Sequence, residues 1–134
     1  MSDLGETEPS LQLRLDARPE SIHLLRRQLD QWLKEAGATG GDLFEVQLAV
    51  TEAFANAVEH PEDPTSPRVD VAGTFADNCL TISVRDYGIW QPDKTDKEQG
   101  GLGLVLIEAL MDTVQIESIA GGTIVTMQRR LAQH

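Results

Sequence analysis

Apolar residues recur along this chain at two spacings, and each spacing predicts a different backbone. Leu11, Leu13 and Leu15 alternate with Gln12, Arg14 and Asp16, the period expected of a half-buried strand. From Pro19, a residue suited to a first helical turn, Ile22, Leu25, Leu29, Trp32, Leu33 and Ala36 recur at helical spacing until Gly37 stops them. A second helix is predicted from Asp42, which with Glu45 three residues on resembles a capping box. Its buried stripe runs through Leu43, Val46, Val50, Ala53 and Ala57 to about His60, because Pro61 disfavours helical geometry in the residue before it. The Pro-rich stretch 61–67 reads as a loop.

Beyond that loop the period returns to two. Val69, Val71 and Phe75 alternate, Asp77-Asn78 offers a turn, and Leu80, Ile82 and Val84 alternate again, which predicts a hairpin. Residues 87–101 lose all periodicity and form a long irregular loop, of a length that compact domains usually keep for function. Leu104 to Met111 is apolar nearly all round, as a short buried helix would be, and Val114, Ile116, Gly121-Gly122, Thr123, Val125 and Met127 make a final hairpin. The order predicts an α/β two-layer sandwich: a mixed, mainly antiparallel sheet with helices on one face. Residues 1–9 lack apolar period and read as a disordered tail, leaving 10–134 as a single domain.

Composition narrows the function. The 134 residues suit one domain, and 40% apolar with 4% aromatic residues implies a core of Leu, Val, Ile and Ala. With 11 Lys and Arg against 22 Asp and Glu the net charge is −11, which opposes direct binding to nucleic acid or to an anionic membrane. The lone Cys79 cannot close an internal disulfide. The first residues are acidic rather than basic, and no apolar run approaches the roughly 20 residues that span a bilayer. A cytoplasmic setting is expected.

Four places could carry chemistry. On the second helix Glu52 and Asn56 lie one turn apart and differ by only about 40° in azimuth, so they share a face. A carboxylate beside a carboxamide suits proton uptake next to a hard cation; taken alone, the pair reads more readily as a solvated polar stripe. Asp86, before Tyr87-Gly88, is either a strand-end acceptor for an exocyclic amine or part of a common turn. Gly100-Gly101-Leu102-Gly103 opens onto the apolar helix, where glycines expose N–H groups to an anion or serve as a hinge. Neither a Walker A loop nor a dinucleotide fingerprint fits it. Gly121-Gly122-Thr123 is explained by a hairpin turn alone. No pair of histidines has metal-ligand spacing.

Taken in order, these four elements resemble the Bergerat ATP-binding fold of the GHKL superfamily, over about residues 10–131. The stretches 51–60 and 101–107, with Leu110-Met111-Asp112, resemble more narrowly the anti-sigma factor serine kinases of the RsbW and SpoIIAB type. The resemblance implies a magnesium ATP site in which Asn56 coordinates Mg²⁺, Asp86 receives the adenine amine and Gly88 lines the adenine pocket. Gly101 and Gly103 hold phosphates, Thr123 supports the adenine end, and Ala57, His60, Gly100, Leu102 and Leu104 complete the nucleotide-binding set. Glu52 matches the general base and residues 87–100 the ATP lid. Leu102 stands where many relatives carry Arg, and Lys94 or Lys97 is the candidate substitute.

The partners implied are a STAS-domain anti-sigma antagonist as phosphoacceptor, a sigma factor and a second copy of the chain. Two other readings are a catalytically silent nucleotide-binding partner switch and a histidine-kinase-like ATPase domain. Glu52 favours the kinase, since binding alone needs no base. The third reading lacks room for a helical hairpin bearing a phosphoacceptor His.

Overall fold

The computed structural model describes residues 10–59, 68–87, 100–119 and 121–132. The expected tail at 1–9, the loop at 61–67, and His60, Gly88, Lys94 and Lys97 lie outside the described residues.

Strand β1 (Ser10–Asp16) leads through a 3₁₀ turn (Pro19–Ser21) into α1 (Ile22–Glu35) and then α2 (Gly40–Glu59). Strands β2 (Arg68–Ala76) and β3 (Cys79–Asp86) follow, then α3 (Gly100–Leu110), β4 (Thr113–Ile119) and β5 (Gly122–Arg130). The sheet order is β1-β2-β3-β5-β4. All four pairings are antiparallel, so the mainly antiparallel sheet expected from the sequence has no parallel pair among its described strands.

Alternation sorts the strand residues as the sequence predicts. Leu11, Leu15, Val69, Val71, Leu80, Ile82, Val84 and Met127 are buried on one face. Against them pack Leu25, Leu29, Trp32 and Leu33 of α1, Val46, Val50, Ala53 and Phe54 of α2, and Ile107 of α3. Trp32 fixes how closely α1 approaches: a Cβ on Gly73 would stand 2.7 Å from its Cη2, so only glycine leaves room for the indole. The β2–β3 turn places both Asp77 (φ 55°) and Asn78 (φ 63°) in the left-handed region, as a two-residue hairpin loop of type I′ requires and Asp and Asn tolerate.

Two local expectations change. Asp42 does not cap α2, which starts at Gly40; its carboxylate instead accepts from Arg129 Nη2 at 2.6 Å and from the Ala132 backbone N–H at 2.8 Å. Glu45 joins the same guanidinium at 2.7 Å, so both carboxylates of the supposed capping box tie α2 to the end of β5. Arg129 Nη1 also donates to the Leu110 carbonyl at the end of α3. Burial works against the charge on Arg129, but its hydrogen bonds and charge contacts with Glu45 and Asp42 outweigh that and hold its pKa above the ordinary value. Second, α3 is not buried all round: Ile107 and Met111 face the core while Val105 is 60% exposed, because the helix packs on α2 along one stripe.

Arg129→Ala should therefore leave Asp42 nearly buried without its cation and cost about 2–4 kcal/mol, less than a fully buried pair because Glu45 remains part-solvated. The urea midpoint measures this. A variant with unchanged midpoint would show that the clamp contributes nothing net.

Candidate functional site

The alanines of α2 decide where its polar residues stand. Ala53, Phe54 and Ala57 turn into the core, and Glu52 and Asn56, one turn apart beside them, are left half-buried. Helix α3 closes on that face through Gly103. A Cβ there would lie 2.7 Å from Glu52 Oε2, 2.9 Å from Asn56 Nδ2 and 3.3 Å from Asn56 Oδ1. Glu52, Asn56 and Gly103 are thus brought together, although 47 positions separate the last two in sequence (103 − 56).

The glycine run sits differently from its sequence reading. The helix begins at Gly100 rather than Leu104, so Gly100, Gly101, Leu102 and Gly103 form its first turn. The first four N–H groups of a helix have no acceptor within it, so the run still offers donors at the helix start, as part of the helix rather than ahead of it. The side chain of Leu102 lies outside the described part; Leu104 is half-buried next to Gly103 and Ala57 is buried next to Asn56.

The second half of the site lies at the end of the β3–β5 ladder, where Asp86 faces Thr123 in register. Both have the parity of the buried positions Val84 and Met127, so both belong to the helix-covered face, the face on which α2 packs against β3. Thr123 is 5% exposed, and its Oγ1 has no hydrogen-bond partner among the described residues. Buried hydroxyls are almost always paired, so an unpaired one beside a carboxylate fits a site that takes a polar ligand.

Gly122 was legible only as a turn residue, yet Gly121 is the one with the turn conformation, at φ 83°. Gly122 serves close approach instead. A Cβ there would overlap the Asp86 carbonyl oxygen and stand 3.0 Å from Tyr87 Cα. Two adjacent glycines where a turn needs one were the signal. His60, Gly88 and the lid between its ends Tyr87 and Gly100 lie outside the described residues.

Residues 15–129 match the family model described as histidine kinase-like ATPase domain. Serine-protein kinase RsbW of Bacillus velezensis is 32% identical over 130 residues, covering 85% of this chain and 81% of that protein. Anti-sigma F factor of Clostridium acetobutylicum is 28% identical over 137 residues, covering 93% and 96%. Among solved structures, that of the RsbU and RsbW domains of a Mycobacterium tuberculosis protein superposes with a TM-score of 0.78 at 34% identity, over 94% of this chain and a third (33%) of that one. The Acinetobacter baumannii histidine kinase AdeS, at 13% identity, 92% of this chain, 68% of its own and a TM-score of 0.55, shares the fold. A Glu-x-x-x-Asn helix face closed by a glycine, a strand-end Asp beside a buried Thr, and these likenesses agree: the chain belongs to the histidine kinase-like ATPase domain family and, within it, to the serine-protein kinases of the RsbW and SpoIIAB type.

Proposed function

We propose that residues 10–134 form one nucleotide-binding unit that uses Mg-ATP to phosphorylate a serine or threonine of a STAS-domain anti-sigma antagonist, and that it sequesters a sigma factor as a cytoplasmic homodimer. The observation that carries this reading is the contact of Glu52 and Asn56 with Gly103 in the first turn of α3. It sets a carboxylate and a carboxamide beside the N–H groups suited to a polyphosphate.

In this reading Asp86 accepts the exocyclic amine of adenine and the Thr123 hydroxyl supports the same end. The backbone N–H groups of Gly101 and Gly103 bind phosphate oxygens. Asn56 would hold Mg²⁺ through its amide oxygen, and the cation, when bound, offsets charge on the phosphates. Glu52 takes the proton from the acceptor hydroxyl as that oxygen bonds to the γ-phosphorus, and the bond from phosphorus to the β–γ bridging oxygen breaks to release ADP. The excess of acid suits a partner with basic, DNA-facing surfaces, and opposite charge quickens such an encounter.

The test is incubation of the purified protein with Mg²⁺, labelled ATP and its cognate STAS protein, which should become labelled on Ser or Thr. Capture of a sigma factor should depend on whether ATP or ADP is present. Asp86→Asn turns the amine's acceptor into a group that also donates, and should weaken nucleotide binding by about tenfold or more in calorimetry. Unlabelled STAS protein together with full nucleotide affinity would leave a silent binding module instead.

A further inference from the structure

The sheet face turned away from the helices carries a knot of charge where β2 begins and β3 ends. In register, Asp16 faces Arg68, Arg14 faces Asp70, and Asp70 faces Arg85. Arg14 Nε lies 3.3 Å from Asp70 Oδ1, and the Tyr87 hydroxyl donates to Asp70 Oδ2. The guanidinium carbons of Arg68 and Arg85 lie 5.0 and 4.5 Å from the centroid of the Tyr87 ring, both within cation–π range. Asp70 and Arg85 also line a groove of about 620 Å³ on this open face, which puts the knot on the far side of the sheet from Glu52 and Asn56. A chain with twice as many acids as bases thus sets two of its 11 cations against one phenol and a third, Arg14, on the carboxylate that the phenol bonds, and the chemistry proposed above uses none of them.

Tyr87 directly follows Asp86. Val69↔Asp86 and Asp86↔Thr123 are the terminal pairs of the two ladders that hold β3, so Tyr87 is the first residue beyond them. Asp86 has the parity of the helix-covered face, while Tyr87 is held on the opposite face by Asp70, Arg68 and Arg85. A strand end frays unless the residue beyond it is tied down, and a displacement of about an ångström takes a carboxylate out of hydrogen-bond range.

We infer that Tyr87, clasped by Arg68, Arg85 and Asp70, is a positioning residue for Asp86: it fixes the carboxylate so that a base with an amine at that point is accepted and one with a carbonyl is refused. This rests on the nucleotide reading above. Adenine offers the amine; guanine, with a carbonyl at the same ring position, does not.

The experiment titrates Mg-ADP and Mg-GDP into the wild-type chain, Tyr87→Ala and Tyr87→Phe, with the melting temperature of each. Tyr87→Ala should lose about tenfold in ADP affinity, the equivalent of a strong cation–π contact, with GDP binding left as weak as in wild type. Tyr87→Phe keeps the ring under the two guanidinium groups and should retain most of the ADP preference. In transfer assays Tyr87→Ala should raise the KM for ATP with little change in kcat. An unchanged ADP-to-GDP ratio overturns the inference, as does a parallel loss of both nucleotides, the mark of a merely structural residue. Should Tyr87→Ala fail to fold, Arg85→Gln removes one guanidinium and should lower the ratio about threefold; an unaltered ratio there is equally fatal. A wild-type chain that binds no ADP overturns the nucleotide reading itself, a result distinct from either.

Discussion

Glu52→Gln is expected to slow phosphoryl transfer to the proposed STAS-domain substrate by a factor of about 10²–10⁴, the usual contribution of a positioned general base, while nucleotide affinity stays within about threefold. Gln has the shape of Glu, so the packing of Gly103 against Glu52 Oε2 and Asn56 is kept and only the capacity to take a proton is lost. Alanine is the poorer probe. It would also empty the space against which α3 closes, mixing a packing defect with the chemical one. Initial rates at saturating Mg-ATP, set beside calorimetric affinities, separate the two effects. Transfer near the wild-type rate would remove Glu52 from the mechanism and leave the base to be found elsewhere.

Gly122→Ala should destabilise the chain by about 3 kcal/mol and abolish nucleotide binding in the fraction that folds. The added methyl would overlap the carbonyl oxygen of Asp86, a residue paired in both the β2–β3 and β3–β5 ladders, so relief requires moving the strand that carries the carboxylate proposed to bind adenine. Gly121→Ala is the control. Its Cβ meets nothing within 4 Å, and the only penalty is the positive φ of 83°, worth about 1–2 kcal/mol. If thermal unfolding ranks Gly121→Ala as the more damaging, close approach is not what position 122 is for.

These two glycines illustrate how much of the site could be read from the chain alone. The pair was visible as a turn, and Gly121 is one. That Gly122 presses on Asp86 depends on β5 lying beside β3, and no local pattern states that order. The same holds for Gly103: its place before an apolar helix suggested phosphate contacts, but its fit against Glu52 and Asn56 follows from how α3 lies on α2. The spacing of Glu52 and Asn56 on one helix face was legible outright, because a helix turns by a fixed angle per residue.

Asp42 and Glu45 were misread for a related reason. Three residues apart before an apolar run, they have the pattern of a cap, and a cap is a contact within a single turn. Arg129 is the stronger partner, and it stands 87 positions from Asp42 and 84 from Glu45. Helix α3 looked buried on every side because its residues are apolar, yet Val105 points outward, since apolar composition records what a position tolerates and not which neighbour covers it.

By itself, then, the sequence determined the elements, the faces of the strands, the two hairpin turns and the helix bearing Glu52 and Asn56. All of these follow from short-range periodicity and from the backbone preferences of Gly, Pro, Asp and Asn. Only the tertiary structure decided that β5 inserts between β3 and β4, that Arg129 gathers the two carboxylates of α2, and that Tyr87 is held on the face opposite Asp86. Those arrangements join residues far apart in the chain, and their energies exist only once the sheet and the helices have packed.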